Sequence, residues 1–442
     1  MMHLNTLRDY ISGKDWHALE QFIAQQPMQR MADSANTLHI HEQVQMLTHI
    51  AQAGRLFEHL SPATQLQLAQ HLSIEHLAAL MTQMHSDDRT DFYQCLVPKV
   101  QQQLLQALPE AMTRQLCQLA AYAQNSAGAI MSSDFVTLDP QSSLADAIET
   151  LRHLAWDRET LYLVYVVDDA QRLIGVISLR QIIQADPQCR VAQVMQRELI
   201  TAYVDDDQEH VASVLAHYDF LALPIIDTQQ RLVGIVTYDD AMDVIRAETD
   251  EDFLKSSAVQ TQGSLSLKQA SIFSLYKKRV FWLVILVFGS LLSGMGIAHF
   301  EDIIATHIVL VFFLPLLVGS GGNAGSQSAT LMVRALATGD VELKDWLGLL
   351  GRETLVALCL GTTMAVAVSI LGYIRGDIMV AVVLALSMLG IVLLGALIGM
   401  SLPFVLNRLK LDPASASGPL VTSICDATGV VVYLFIASRL LF

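Results

Sequence analysis

The hydrophobic rhythm of the chain changes twice. Through residue 128, apolar positions recur at helical spacing: Leu56, Phe57 and Leu60, then Leu66, Leu68 and Leu72, then Leu77, Leu80, Met81 and Met84. Start signals precede these runs. Ser61-Pro62 reads as an N-cap with proline at the first helical position, and Ser73 repeats the cap. Asp87 and Asp88 put acids where a helix dipole favours them, and Pro98 and Pro109 punctuate later helices. The pattern predicts an all-α superhelical bundle over residues 1–128. Periodicity is weaker in about the first 35 residues, which add little to the expectation.

An internal repeat follows. Val166-Val-Asp-Asp-Ala-Gln-Arg-Leu-Ile-Gly175-Val-Ile-Ser178 matches Ile225-Ile-Asp-Thr-Gln-Gln-Arg-Leu-Val-Gly234-Ile-Val-Thr237 position for position. Each copy reads as strand, turn, strand and then helix. Ile130-Met131 and Val194-Met195 open the two units, giving an α+β pair over 129–250, divided as 129–188 and 189–250. A connecting helix is expected over 241–263, ended by Gly263-Ser-Leu-Ser, with the basic Lys277-Lys278-Arg279 just before the next apolar run.

From residue 280 onward the chain is almost continuously apolar, which predicts an α-helical transmembrane domain over 264–442. Five spans fit: 280–299, 303–336, 350–373, 378–406 and 415–441. Lys344, Arg352, Arg408 and Lys410 fall in loops on one side, and Glu301, Asp302, Arg375 and Asp377 on the other. The positive-inside rule then predicts a cytoplasmic N-terminus in a multi-pass plasma (inner) membrane protein. The start of the chain has no basic segment followed by an apolar core, so a cleavable signal peptide is not expected.

Composition sharpens this picture in three ways. The 442 residues carry a net charge of −16, which argues against a nucleic-acid partner. The five cysteines are scattered without a Cys-x-x-Cys pair, so no thiolate metal site is expected. No catalytic dyad, triad or nucleotide-hydrolysis motif is present, so the expectation is a protein that is not an enzyme.

The residue that demands an explanation is Asp426. It lies inside the last apolar run with no basic residue within a turn, and an intramembrane carboxylate costs about 2.5–3.5 kcal/mol on insertion scales. Thr422 and Ser423 lie one turn earlier on the same side, and Pro419 a turn before them, where it would free backbone carbonyls. This acceptor-lined face suits a cation; the competing reading is a structural, protonated aspartate. In the second span, Asn323, Gln327 and Thr330 fall near one face within a glycine cluster from Gly319 to Gly325. Most of those glycines read as small residues that let helices approach closely.

Acids crowd the soluble part. Asp205, Asp206, Asp207, Glu209 and Asp219 belong to the second repeat unit, Asp239, Asp240 and Asp243 to its last helix, and Glu248, Asp250, Glu251 and Asp252 follow. For any one of them a solvated charged face is the simple reading. Together they repel, and divalent ions with hard oxygen ligands, Mg²⁺ or Ca²⁺, would relieve the repulsion. His39, His41 and His49 read as surface histidines rather than ligands.

The repeated strand–helix–strand–strand–helix unit resembles the CBS domain, which works in tandem pairs. That family's ribose-binding pattern is complete in Gly234-Ile-Val-Thr237-Tyr-Asp239-Asp240, whereas the first unit has Ser178 but Gln181 in place of the acid. The resemblance therefore implies at most one full adenosine-nucleotide site, with ATP at Thr237 and Asp240, or else a purely structural or dimerising pair.

The whole chain resembles the MgtE family of magnesium channels. The likeness rests on Pro315-x-x-x-Gly319-x-Gly-Gly-Asn323-x-Gly-x-Gln-Ser-x-Thr330, on the run from Asp412-Pro-Ala to Asp426-x-Thr-Gly429, and on the order of helical domain, CBS pair, connecting helix and five spans. It implies a homodimer in the lipid membrane with divalent cations passing along the two-fold axis, lined by spans two and five. Asp426 matches the family's pore carboxylate, with Thr422 and Asn323 beside it. It further implies closure by cytosolic Mg²⁺ at acids matching Asp91, Glu209, Asp219, Asp240, Asp243, Asp250, Glu251 and Asp252. Gly418 stands where some relatives carry Asn. The readings left in competition are a carrier for Mn²⁺, Co²⁺ or another divalent ion, and a membrane-tethered nucleotide sensor with no pore.

Overall fold

The computed structural model describes residues 2–154, 160–259, 271–337, 340–416 and 418–441. It divides into two compact units, Met1–Arg246 and Ala247–Phe442.

The first unit begins with a succession of short helices, from Met2–Gly13 to Glu110–Leu119. The two serine caps form as expected: the Ser61 and Ser73 hydroxyls accept from the Thr64 and His76 amides, each at 3.3 Å. The first 35 residues matter more than their periodicity indicates. They form three helices, Met2–Gly13, Trp16–Ala24 and Met28–Ala35. Leu7, Ile11, Leu19 and Ile23 are buried in the same core as Leu56, Phe57, Leu68 and Met81. Each such side chain contributes about 1.5–3 kcal/mol by leaving water. The helices are too short for a long periodic signal to develop.

The repeat gives two three-stranded sheets. In the first, β1 (Thr137–Leu138) runs parallel to β2 (Leu163–Val167), which is antiparallel to β3 (Leu173–Ser178). In the second, β4 (Ala202–Tyr203), β5 (Ala222–Ile226) and β6 (Leu232–Thr237) repeat the arrangement. The two hairpin turns are chemically the same. Gln171 and Gln230 have φ of 61° and 62°. Arg172 and Arg231 each reach back 2.7 Å to Asp168 and Asp227. The repeats also interlock. Gly234 has room for no Cβ because Met131 Sδ would lie 2.5 Å from it, and Gly175 is closed in the same way by Met195 Sδ. The methionine that opens each unit is therefore seated on the glycine of the other.

One continuous helix, Tyr238–Ser256, serves as both the last helix of the pair and the connecting helix. It ends earlier than expected, with Ala258 at φ 55° just beyond it. Residues 260–263 of the expected connecting helix, and its glycine break, lie outside the described residues.

Among the described residues, the second unit holds five helices long and apolar enough to cross a membrane. Their ends differ from expectation in physically readable ways. The first span is Ile272–His299, so the basic Lys277-Lys278-Arg279 lies inside the helix rather than before it. The second is Val309–Ala337, because Ile303 belongs to a separate short helix, Glu301–Thr306. The third and fourth are Trp346–Arg375 and Ile378–Arg408. The fifth is Gly418–Leu441, with Ser415 in a preceding 3-10 turn, Pro413–Ser415.

Glycines fix how spans two and four cross. A Cβ on Gly395 or Gly399 would overlap the carbonyl oxygen of Gly321 or Gly325. Two glycine pairs four residues apart thus bring the two backbones together, as small residues do between membrane helices. Span five is tied to the start of span two by the fully buried Tyr433, whose hydroxyl donates to the Leu310 carbonyl at 3.0 Å.

Candidate ion pathway and regulatory acids

Asp426 is half-buried in span five, and its Oδ1 is buried with no hydrogen-bond partner among the described residues. The wall opposite is Gly322 of span two. A Cβ there would lie 3.4 Å from Asp426 Oδ1 and 2.9 Å from Thr422 Cγ2. Glycine thus keeps the space beside the carboxylate open. Thr422 does share a face with Asp426, as their spacing requires. Its hydroxyl lies 3.1 Å from Ser326 Oγ, which also donates to the Gly418 carbonyl at 3.3 Å.

Pro419 plays a different part from the one expected. It stands second in the helix Gly418–Leu441, where its missing N–H breaks no intrahelical bond. The polar groups nearby come instead from side chains, with Ser423 donating to the Pro419 carbonyl at 3.0 Å.

On span two, Asn323, Gln327 and Thr330 are all exposed on the surface of the single chain. Thr330 donates to the Ser326 carbonyl at 2.8 Å, which leaves Asn323 and Gln327 as the amides on that flank. Sequence reasoning passed over Ser326, the polar residue of span two that reaches span five. It also passed over Glu353 of span three, which accepts a 2.5 Å hydrogen bond from the buried Ser328. The run of small residues Ala324-Gly325-Ser326 was the available signal for the first. A lone carboxylate eight residues into an apolar helix was the signal for the second.

Of the acids that the resemblance implies are regulatory, none belongs to the group of close metal-ligating side chains found among the described residues, Glu58, His85 and Asp88. Asp91 lines a cavity of about 410 Å³ with Glu58, Asp88, Gln94 and Gln124. Glu58, which the sequence reading missed, is the buried member of that group. Donor atoms of Glu58, His85 and Asp88 lie within 4.8 Å of one another. Burial alone would raise the Glu58 pKa, but hydrogen bonds and charge from His85 together with the Arg55 charge hold it below the usual carboxylate value. His39 and His41 stack on each other, and His49 stacks on Trp16 at 4.2 Å.

Glu209 and Asp219 are exposed near opposite ends of the helix Gln208–His217, and Asp219 adopts φ 53°. At the start of the connecting helix, Asp243 is exposed and pairs with Arg246 at 3.2 Å. Asp240 is half-buried; burial, then repulsion from Asp239 and Asp243, pushes its pKa up to about 6 despite hydrogen bonds from Thr237. Near the other end, Asp250 is exposed and Glu251 contacts Lys255 at 2.6 Å. Asp252 is raised by burial and by the charge of Asp412.

Thr237 and Asp240 do come together. The Thr237 hydroxyl donates to Asp239 at 2.5 Å and to the Asp240 carboxylate, which also accepts the Thr237 amide at 3.4 Å. The equivalent place in the first unit holds a reciprocal Ser178–Gln181 cap, with bonds of 2.8 and 3.2 Å. The acid therefore stands where Gln181 closes the capping box of the first unit, and carries a charge that its counterpart lacks.

Comparison with known proteins matches each part of this architecture. The MgtE intracellular N domain matches residues 26–125, CBS domains match 127–187 and 191–247, and a divalent cation transporter family matches 314–436. The magnesium transporter MgtE of Thermus thermophilus is 38% identical over 394 residues, 88% of this chain and 87% of its own length.

This chain belongs to the MgtE family of magnesium transporters.

MgtE of Bacillus subtilis is 32% identical, with 81% of this chain and 79% of its own covered. Among solved structures, the soluble part of a magnesium transporter aligns with TM-score 0.54 and 26% identity, covering 55% of this chain and 97% of the other. The cytosolic domain of the Mg²⁺ channel MgtE in complex with ATP aligns with TM-score 0.51 and 33% identity, covering 55% and 99%. Mg²⁺ is the ion that MgtE transporters carry, and the family is one of transporters rather than enzymes. With its five apolar helices, this MgtE member is a multi-pass membrane protein.

Proposed function

We propose that two copies of this chain form a Mg²⁺ channel whose pore runs between their second and fifth spans, with Asp426 from each copy as the charge that draws the ion in. The observation that carries the reading is the Asp426 oxygen, buried and without a hydrogen-bond partner among the described residues, beside the open face of Gly322. Around it stand hydroxyls and a carbonyl, from Thr422, Ser326 and Gly418. Mg²⁺ releases water reluctantly and is often held through its shell, which such acceptors can hydrogen-bond. The exposed amides of Asn323 and Gln327 support a second copy on this flank, since lipid would leave them unsatisfied.

The acids of the soluble part supply the regulation in this reading. Asp91, Glu209, Asp219, Asp240, Asp243, Asp250, Glu251 and Asp252 repel one another as like charges, and in this reading the elements that carry them come together only when cations neutralise them. Cytosolic Mg²⁺ then favours the closed arrangement by its greater affinity for it. Orientation with the N-terminus in the cytoplasm follows from the basic residues of the loops and of the first span. ATP joins the scheme at Thr237 and Asp240, supported by their geometry and by the relative solved with ATP.

Inside-out patches containing the full chain test the proposal. Current carried by Mg²⁺ should fall as Mg²⁺ is raised on the cytoplasmic face. Current that persists at millimolar Mg²⁺ removes the regulatory half. Equal Mn²⁺ or Co²⁺ flux at equal concentration favours a general divalent carrier, and nucleotide binding without any metal current favours the sensor.

A further inference from the structure

Lys255 lies in the last turn of the connecting helix, and its side chain is only 25% exposed. Its ammonium contacts Glu251 one turn back at 2.6 Å, and also the Asp412 carboxylate, 157 residues away in sequence. The first contact is an ordinary i, i+4 pair on one helix. The second joins two elements. Asp412 opens the 3-10 turn Pro413–Ser415, and its other oxygen accepts the Ala414 amide at 2.8 Å. That turn is anchored, with Ala414 and Ala416 at 2% and 4% exposure. Span five starts at Gly418, whose carbonyl is held by Ser326. One carboxylate thus caps the turn that leads into the Asp426 helix and also takes the connecting helix's lysine.

The charges acting at this contact are Glu248, Glu251, Asp252 and Asp412 with Lys255. Burial would lower the lysine's pKa, but hydrogen bonds to Asp412 and Glu251 raise it above its usual value. A divalent ion reaching Glu251 or Asp252 therefore enters a cluster already occupied by a cation that the chain supplies itself.

We infer that Lys255 is a positioning residue for transport: it holds the connecting helix to the loop that feeds span five without any divalent ion, setting the resting position from which cytosolic Mg²⁺ closes the pore. The inference rests on the channel reading for its effect on flux, but the tether itself does not depend on that reading.

The test uses the full chain in proteoliposomes and nanodiscs, with Lys255→Gln, Lys255→Arg, Asp412→Asn and the Gln–Asn double variant. With no Mg²⁺ on the soluble-domain side, Lys255→Gln should change flux about threefold or more and shift the Mg²⁺ concentration that halves it. Lys255→Arg should restore both, and the double variant should add little to either single change, as expected of partners in one interaction. Unchanged flux and unchanged half-closing Mg²⁺ in Lys255→Gln overturns the positioning role. Hydrogen exchange in Mg²⁺-free nanodiscs reads the tether directly. Lys255→Gln should quicken exchange in residues 247–256 and 412–416 together; quickening in only one stretch, or in neither, overturns it. If the wild type carries no Mg²⁺, the channel reading fails while the exchange result still decides the tether.

Discussion

The Ser326 hydroxyl of span two lies 3.1 Å from the Thr422 hydroxyl of span five, one helical turn before Asp426. This contact fixes the side of the fifth helix on which its carboxylate stands. Replacing Ser326 by Ala removes the contact and the second partner of the Gly418 carbonyl. A hydrogen bond of this kind contributes about 0.5–1.5 kcal/mol, so Mg²⁺ flux should fall by roughly two- to tenfold in a chain that still folds. Fluorescent Mg²⁺ uptake in proteoliposomes reads the loss. A stopped-flow trace equal to wild type would show that Ser326 only packs.

The close crossing of spans two and four makes a contrast between two glycines. A Cβ at Gly399 would overlap the Gly325 carbonyl, a backbone atom that has little freedom to move, whereas a Cβ at Gly319 meets nothing within 4 Å. Gly399→Ala should therefore cost about 1–3 kcal/mol, and Gly319→Ala should be close to neutral apart from a small gain in helix propensity. Thermal unfolding in detergent compares them directly.

Stability should also depend on pH through Asp240. Its folded pKa, about 6, lies above the ordinary value because of burial and the neighbouring Asp239 and Asp243. The folded state therefore binds the proton more tightly than the unfolded one. The stabilising contribution is fully present below the unfolded value near 3.8 and is lost as pH rises through 6. In Mg²⁺-free, nucleotide-free buffer the wild type should gain on Asp240→Asn by about 1 kcal/mol as pH falls from 7 to 5. Melting curves of the two proteins that stay parallel across that range would contradict the shift.

Much of the fold was legible because its signals are local or repeated. Apolar runs of membrane length announce themselves, and the strand–turn–strand unit appears twice with the same Asp–Arg turn. Helix ends were less legible. Lys277–Arg279 marks a membrane boundary in charge but not the start of a helix, and nothing in the apolar run before His307 separates a short helix from a span. The candidate ion-binding face was partly legible: the spacing of Thr422 and Asp426 needs only the pitch of a helix. The residues passed over were those defined by distant partners. Ser326 and Thr422 are 96 residues apart, Ser328 and Glu353 are 25 apart, and Lys255 and Asp412 are 157 apart. Glu58 likewise meets its partner from far along the chain: the amide of His85, N-cap of the helix Ser86–Cys95, donates to its carboxylate. No periodicity encodes such meetings.

The central claim concerns one carboxylate at the seam of two spans. The most direct measurement is Mg²⁺ flux into proteoliposomes by Asp426→Asn beside wild type, at matched protein density and with the folded state checked by its melting curve. The amide keeps the shape and removes the charge that draws a hydrated divalent ion. The account predicts that flux falls at least tenfold while the melting temperature holds; flux at the wild-type level in a folded Asp426→Asn protein would contradict it.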